Sequence, residues 1–126
     1  MQIMITGANG FIGRNLRETL ACCRPEDTLS LIDIQTPQEA LRRAAGEADF
    51  VFHLAGVNRP ETTSEFMEGN RDFTVELLKL LEAGKKPPVV LSSSTQAALD
   101  NPYGISKLAA EKAVFAYGER TGAPVY

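Results

Sequence analysis

The sequence has no tryptophan, one histidine, two cysteines and no basic excess: 13 Lys and Arg stand against 16 Asp and Glu in 126 residues, a formal charge of −3. Each shortage excludes something. A mild acidic balance argues against a polyanion-binding surface, so nucleic acid is not expected as a main partner. Cys22 and Cys23 are adjacent and cannot readily bridge each other, and with His53 as the lone histidine there is no metal-ligand spacing. No metal site or disulfide scaffold is therefore expected, and a reducing cytoplasm is the expected compartment. No apolar run approaches the roughly 20 residues that cross a bilayer. Residues 1–7 carry no basic segment ahead of an apolar one, as a secretory signal would. What remains, 44% apolar and 23% charged residues, is the composition of one globular domain. Its length removes roughly two-thirds of the unfolded surface from water.

Five short apolar runs, at 2–6, 29–34, 50–54, 89–92 and 124–126, alternate with longer stretches of helical period. That order predicts an α/β fold, a doubly wound parallel sheet with crossover helices on both faces in three layers. A first helix is expected over 11–22, with Ile12, Leu16 and Leu20 on one stripe. Pro37 sits in the first turn of the next, whose Ala40, Leu41, Ala44 and Ala45 face inward. A third runs over 64–83, carrying Phe66, Phe73, Leu77, Leu80 and Leu81, and is closed by Gly84 ahead of Lys85-Lys86-Pro87-Pro88. A fourth, over 103–120, offers Leu108, Val114 and Tyr117 to the core. No repeat or linker interrupts the pattern. The sequence stops as a fifth strand begins, so residues 1–126 are expected to be the N-terminal domain of a longer protein.

Gly7-Ala8-Asn9-Gly10-Phe11-Ile12-Gly13 follows a predicted strand and opens a predicted helix. Gly7 permits a sharp exit from the strand, Gly10 the approach of a pyrophosphate to bare backbone, and Gly13 close helix packing. The free N–H groups and dipole of the helix start favour the anion, so the segment 7–13, with Asn9, Phe11 and Ile12, is assigned to a bound dinucleotide. Asp33 lies 20 residues past Gly13. A carboxylate there accepts hydrogen bonds from the adenosine ribose and repels a 2′-phosphate. A second registration puts residues 33–39 on a third strand, with Asp33 against the adenine amino group, because the stretch from Gly13 to Phe50 is short for two strands. NAD and NADP both stay open. Leu54, Ala55 and Gly56 end the next strand at the edge where cofactors bind, and Ala55 and Gly56 are small enough to let the adenosine–ribose side pass. His53, with no carboxylate or cysteine partner suggested nearby, reads as a packed strand-end residue.

Tyr103 and Lys107 are four positions apart, on one face of the last helix. A phenol titrates near pH 10, and a neighbouring cation favours its anion, which suits acid/base work near neutrality. Lys107 can also hold the nicotinamide ribose. Ser92, Ser93 and Ser94 at the preceding strand end offer hydroxyls to a carbonyl or alcohol oxygen. Together these form a Ser/Tyr/Lys set for moving a hydride and a proton between a carbinol and a nicotinamide.

On the segments 6–13, 53–56, 92–94 and 103–107, with Asn70, the chain resembles the extended short-chain dehydrogenases/reductases: the sugar-nucleotide epimerases, dehydratases and reductases. The resemblance implies a Rossmann fold, a nicotinamide cofactor and a nucleotide-linked sugar substrate. It further implies Ser94 as the polarising hydroxyl, with Ser93 as fallback, Tyr103 as acid/base, Lys107 as its partner, and Asn70 close by. Residues 53–61 and 100–104 are similar to the N-terminal domain of CapF-type capsular polysaccharide reductases. That similarity implies reduction of a 4-keto UDP-N-acetyl deoxysugar with NADPH and a cupin domain further along. Asp33, not being basic, points away from NADPH. Where related 4,6-dehydratases carry Asp-Glu, this sequence has Thr95-Gln96, so reduction or 4-epimerisation is expected in place of dehydration. A module that senses dinucleotide without chemistry is the alternative from another class. The 126 residues alone are expected to bind dinucleotide weakly and turn over nothing. A homodimer through the helices at 64–83 and 103–120 is a further expectation.

Overall fold

A computed structural model describes residues 1–56 and 62–126. Four strands, β1 (Gln2–Thr6), β2 (Thr28–Ile32), β3 (Phe50–His53) and β4 (Val89–Leu91), form a parallel sheet in the order β2-β1-β3-β4. In register, Thr6 stands beside Ile32 on one side and His53 on the other, and His53 beside Leu91, so the strands end along one line.

β1 is buried on both faces, which is why it reads as a continuous apolar run rather than an alternation. Ile3 and Ile5 pack with Ala8, Leu16, Leu20 and Phe52 under α1 (Phe11–Cys23). Met4 points the other way, into the larger core with Leu41, Ala45, Val51, Leu77, Leu81, Val89 and Tyr117. That face is covered by α2 (Gln38–Glu47), α4 (Phe73–Ala83) and α5 (Pro102–Thr121). The three expected layers are present. The fifth strand is represented by a parallel bridge from Val125 to Val89, where Val89 O accepts from Tyr126 N–H at 3.0 Å.

The differences from expectation have local causes. β2 stops at Ile32 because Asp33 folds the chain into an Asx turn: its carboxylate accepts from Gln35 N–H at 2.8 Å, and its own N–H donates to Thr36 Oγ1 at 2.9 Å. Ile34 is consequently fully exposed. Pro37 caps α2 rather than sitting inside its first turn. The helix expected over 64–83 is three pieces: α3 (Ser64–Phe66), a π-helical stretch Met67–Asp72, and α4, which ends at Gly84 as expected. Leu108 corrects a core expectation: α5 buries Ala110, Val114 and Tyr117, and Leu108, off that stripe, is exposed. The Tyr117 hydroxyl donates to Pro87 O at 2.7 Å, and burial pushes its pKa up to about 12. No helix among the described residues is long and apolar enough to cross a membrane.

Candidate functional site

The direction of sheet growth reverses between β1 and β3, since β2 lies outside β1 and β4 outside β3. In open parallel sheets, ligands bind beyond the strand ends at such a reversal. Two adjoining clefts open there. The larger, of about 540 Å³, is lined by Gly7, Asn9, Gly10, Asp33, Leu54, Ala55 and Gly56 among others. The smaller, of about 320 Å³, is lined by Gly7, Gly10, Phe11, Ile12, Gly13, Leu54, Gly56, Ser92, Ser93, Tyr103 and Lys107. Every residue assigned to the cofactor from sequence therefore borders one cleft or both.

The glycine turn is built as a close contact. Gly7 has φ +68°, and a Cβ there would stand 2.8 Å from the Leu54 carbonyl carbon and from Ala55 N. At Gly13 a Cβ would come within 2.2 Å of Gly7 O, so α1 can approach its own turn only without a side chain. Gly10 caps α1 with no side-chain hydrogen bond, and the first turn carries no acidic residue. The leading N–H groups of a helix lack partners within it, and here the residues that carry them, Phe11, Ile12 and Gly13, line the smaller cleft with no carboxylate in that turn. Phe11 and Ile12 are exposed beside them.

Asp33 follows directly on β2, which pairs with β1, so no further strand intervenes. Its carboxylate also accepts from Asn9 Nδ2, and Arg17 Nη1 donates to Asn9 Oδ1 at 3.1 Å. Sequence reading passed over Arg17. It stands on α1 and reaches back to Asn9, which precedes the helix, so no helical spacing marks the pair.

Tyr103 and Lys107 come from the start of α5. Asn101 caps that helix by accepting from Gly104 N–H at 2.7 Å, and Pro102 takes the first helical position. A Cβ on Gly104 would lie 2.1 Å from Gln96 O, so this turn seats tightly on the short 3₁₀ turn Thr95–Ala98. The Tyr103 ring meets Phe66 edge-on, centroids 5.5 Å apart. Lys107 Nζ donates to Ser92 O at 2.9 Å. Burial pushes its ammonium below the usual lysine range, and the charge of Glu111, one turn on, works against that shift. Ser93 Oγ donates to Glu111, a partner the sequence reading also missed although it lies at i+4 from Lys107. Ser94 is placed differently: it borders neither cleft among the described residues, and its oxygen caps the 3₁₀ turn, accepting from Gln96 N–H at 3.2 Å.

His53 lies in the core behind the clefts, buried, with Thr6 Oγ1 at 2.6 Å from Nδ1 and Thr74 Oγ1 at 2.8 Å from Nε2. Burial first, and the Lys107 charge second, lower its pKa to about 3. Of the 53–61 segment that resembled CapF-type reductases, Val57, Asn58, Arg59, Pro60 and Glu61 lie outside the described residues.

A parallel α/β sheet with a glycine turn and a Tyr/Lys helix meeting at its reversal defines a Rossmann-type, dinucleotide-binding class of protein. Within that class the sequence profile of the NAD dependent epimerase/dehydratase family matches residues 3–126, and the chain belongs to this family. It is 41% identical over 129 residues to the UDP-2-acetamido-2,6-beta-L-arabino-hexul-4-ose reductase of Pseudomonas aeruginosa, covering 100% of this chain and 34% of that protein. The capsular polysaccharide assembling protein CapF of Staphylococcus aureus superposes with a TM-score of 0.86 at 45% identity, over 100% of this chain and 34% of CapF. The UDP-glucuronic acid 4-epimerase of Bacillus cereus, solved with NAD, shares the fold: TM-score 0.84 at 19% identity, over 99% of this chain and 55% of the epimerase. The chain spans about a third of the length of the first two relatives.

Proposed function

We propose that residues 1–126 form the dinucleotide-binding domain of an NAD(P)-dependent reductase of a nucleotide-linked 4-keto sugar. The observation that carries this reading is the one cleft shared by the glycine turn, Tyr103 and Lys107 at the strand edge where the sheet reverses. The names of the P. aeruginosa and S. aureus relatives, a UDP-sugar reductase and a capsular polysaccharide protein, support the substrate class.

The residues present fit a nicotinamide dinucleotide. Gly10 exposes backbone at the start of α1, where N–H groups complement a diphosphate, while Gly7 and Gly13 let the turn and the helix close up behind it. Asp33, in the larger cleft, suits the adenosine ribose hydroxyls, and its carboxylate disfavours a 2′-phosphate, so NADH is the expected donor. Leu54, Ala55 and Gly56 line the clefts together with Asn9, Phe11 and Ile12. A bound nicotinamide dinucleotide supplies the hydride. Tyr103 Oη gives its proton to the ketone oxygen as that oxygen becomes a hydroxyl. Lys107 Nζ, anchored on Ser92 O in the cleft that Tyr103 also lines, is to serve the nicotinamide ribose and the phenol. Ser94 Oγ, outside both clefts, accepts from Gln96 N–H and retains its own proton for a substrate oxygen that reaches past them; Ser93, which lines the smaller cleft and is engaged with Glu111, is the fallback. Thr95 and Gln96 provide no carboxylate pair for elimination, which leaves reduction or 4-epimerisation, and the reductase named among the relatives favours reduction. Pairing of two copies through α4 and α5 belongs to the same reading, with Ile105, Leu108 and Phe115 exposed on α5.

The test uses the full-length protein with NADH or NADPH and UDP-2-acetamido-2,6-β-L-arabino-hexul-4-ose. Loss of nicotinamide absorbance that requires both enzyme and sugar is expected. Dinucleotide binding without turnover of any UDP-4-keto sugar would favour a sensing module instead.

A further inference from the structure

The directions of the buried hydrogen bonds around His53 are fixed by the chemistry of their partners. Thr74 Oγ1 donates its only proton to Asn70 O at 2.6 Å, so towards His53 Nε2 it can only accept. His53 is neutral, with the proton on Nε2, and Nδ1 must accept from Thr6 Oγ1. Thr6 Oγ1 in turn accepts from Ala55 N–H at 3.1 Å. From Asn70 the chain continues: Asn70 Nδ2 donates to Ser106 Oγ at 3.0 Å, and Ser106 Oγ to Tyr103 O at 2.7 Å. Thr6, His53, Thr74, Asn70 and Ser106 are all buried. One relay thus runs from the backbone beside the proposed cofactor site to the helix that carries Tyr103 and Lys107.

We infer that His53 is a positioning residue: through this relay it holds the π-helical turn in the offset that seats Asn70 beside Lys107. The relevant geometry lies over Gly56, where a Cβ would stand 2.8 Å from Asn70 Oδ1 and 3.3 Å from Lys107 Nζ. Asn70 is inside the Met67–Asp72 π stretch, and Thr74, which holds its carbonyl, follows in α4. A threonine hydroxyl bonded to the carbonyl four residues back perturbs a helix locally, and His53 fixes the rotamer in which Thr74 does so. His53 never reaches substrate; it acts through Asn70. Its effect on turnover rests on the proposed reductase reading, whereas its effect on the π turn does not.

Two variants separate hydrogen bonding from bulk. His53→Gln can still accept from Thr6 and donate to Thr74; His53→Leu can do neither. In the full-length protein, assayed with NADH and the UDP-4-keto sugar well below the unfolding transition, His53→Leu is expected to lose about 10- to 100-fold in kcat with KM for the sugar little changed. His53→Gln is expected to recover most of it. Should His53→Leu fail to fold, Thr74→Val and Thr74→Ser repeat the comparison from the other end of the bond. Wild-type kcat in a folded His53→Leu or Thr74→Val variant would overturn the inference, as would equal losses in the Gln and Leu variants. A wild type inactive on this sugar would count against the proposed reaction instead, and crystal structures then decide the relay. Asn70 Oδ1 leaving Gly56 in His53→Leu or Thr74→Val supports it, and an unmoved π turn refutes it.

Discussion

Acidification from pH 7 to pH 5 should loosen this domain through His53 specifically. The folded state holds its imidazole neutral down to about pH 3, against an ordinary value of 6.5. Below 6.5 the unfolded chain takes up a proton that the folded one refuses, so stability falls as pH drops through the window from 6.5 to about 3. Each pH unit inside that window costs about 1.4 kcal/mol, and pH 5 lies 1.5 units below 6.5, so the loss amounts to about 2 kcal/mol. The burial of His53 means that little of this is screened. Asp27, Asp49 and Glu82 also have lowered pKa values, through Arg24, the Gln2 N–H and Arg120 respectively. Those carboxylates lose stability in the same direction, but only at more acid pH, where they protonate. Amide exchange of Met4, Ile5 and Val51, corrected for intrinsic rates, reads the opening of this sheet whatever else the full protein contains. Protection should drop by about 2 kcal/mol between pH 7 and 5 in the wild type and by far less in His53→Gln. An equal drop in both proteins would refute the assignment to His53.

Three further outcomes follow from the same contacts. Gly13→Ala places a methyl 2.2 Å from Gly7 O, and it should destabilise the domain by about 1–3 kcal/mol or more while abolishing dinucleotide binding, read by calorimetry and thermal melts. Tyr117→Phe leaves Pro87 O without its buried donor; a loss of about 1–3 kcal/mol in denaturant unfolding is expected, with cofactor affinity unchanged. Asp33→Ser should raise affinity for NADPH relative to NADH by about tenfold in fluorescence titrations, since it removes the carboxylate that the proposed binding mode sets next to the 2′ position.

Much of the fold was legible because it rests on short-range signals. The run 2–6, the glycine turn, the Gly84 stop and the Pro102–Tyr103 helix start each carry their own chemistry, and each element stands within a few residues of its expected place. What the sequence hid depends on partners far apart in the chain. The π stretch within 64–83 shows no break in apolar period, yet Thr74 and His53, 21 residues apart, meet there. The early end of β2 depends on the Asx turn at Asp33, a polar contact that an apolar run cannot announce. Leu108 shows a limit of helical periodicity: one position from the buried Lys107, it falls on the solvent side. At the candidate site, the order of the glycine turn, the serine strand end and the Tyr103/Lys107 pair was legible in the sequence, and the fold brings them to one cleft. The ties that orient them, Arg17 to Asn9, Glu111 to Ser93 and Asn70 to Ser106, are visible only once the elements pack. Ser94, named from its place in a motif, is the residue whose surroundings depart most from that naming.

Replacement of the Tyr103 hydroxyl tests the central claim most directly. In the full-length protein, Tyr103→Phe should lower kcat by roughly 10²–10⁴ with the 4-keto sugar, while the dissociation constant for NADH stays within a few-fold of wild type. Turnover that survives this substitution unchanged would contradict the account.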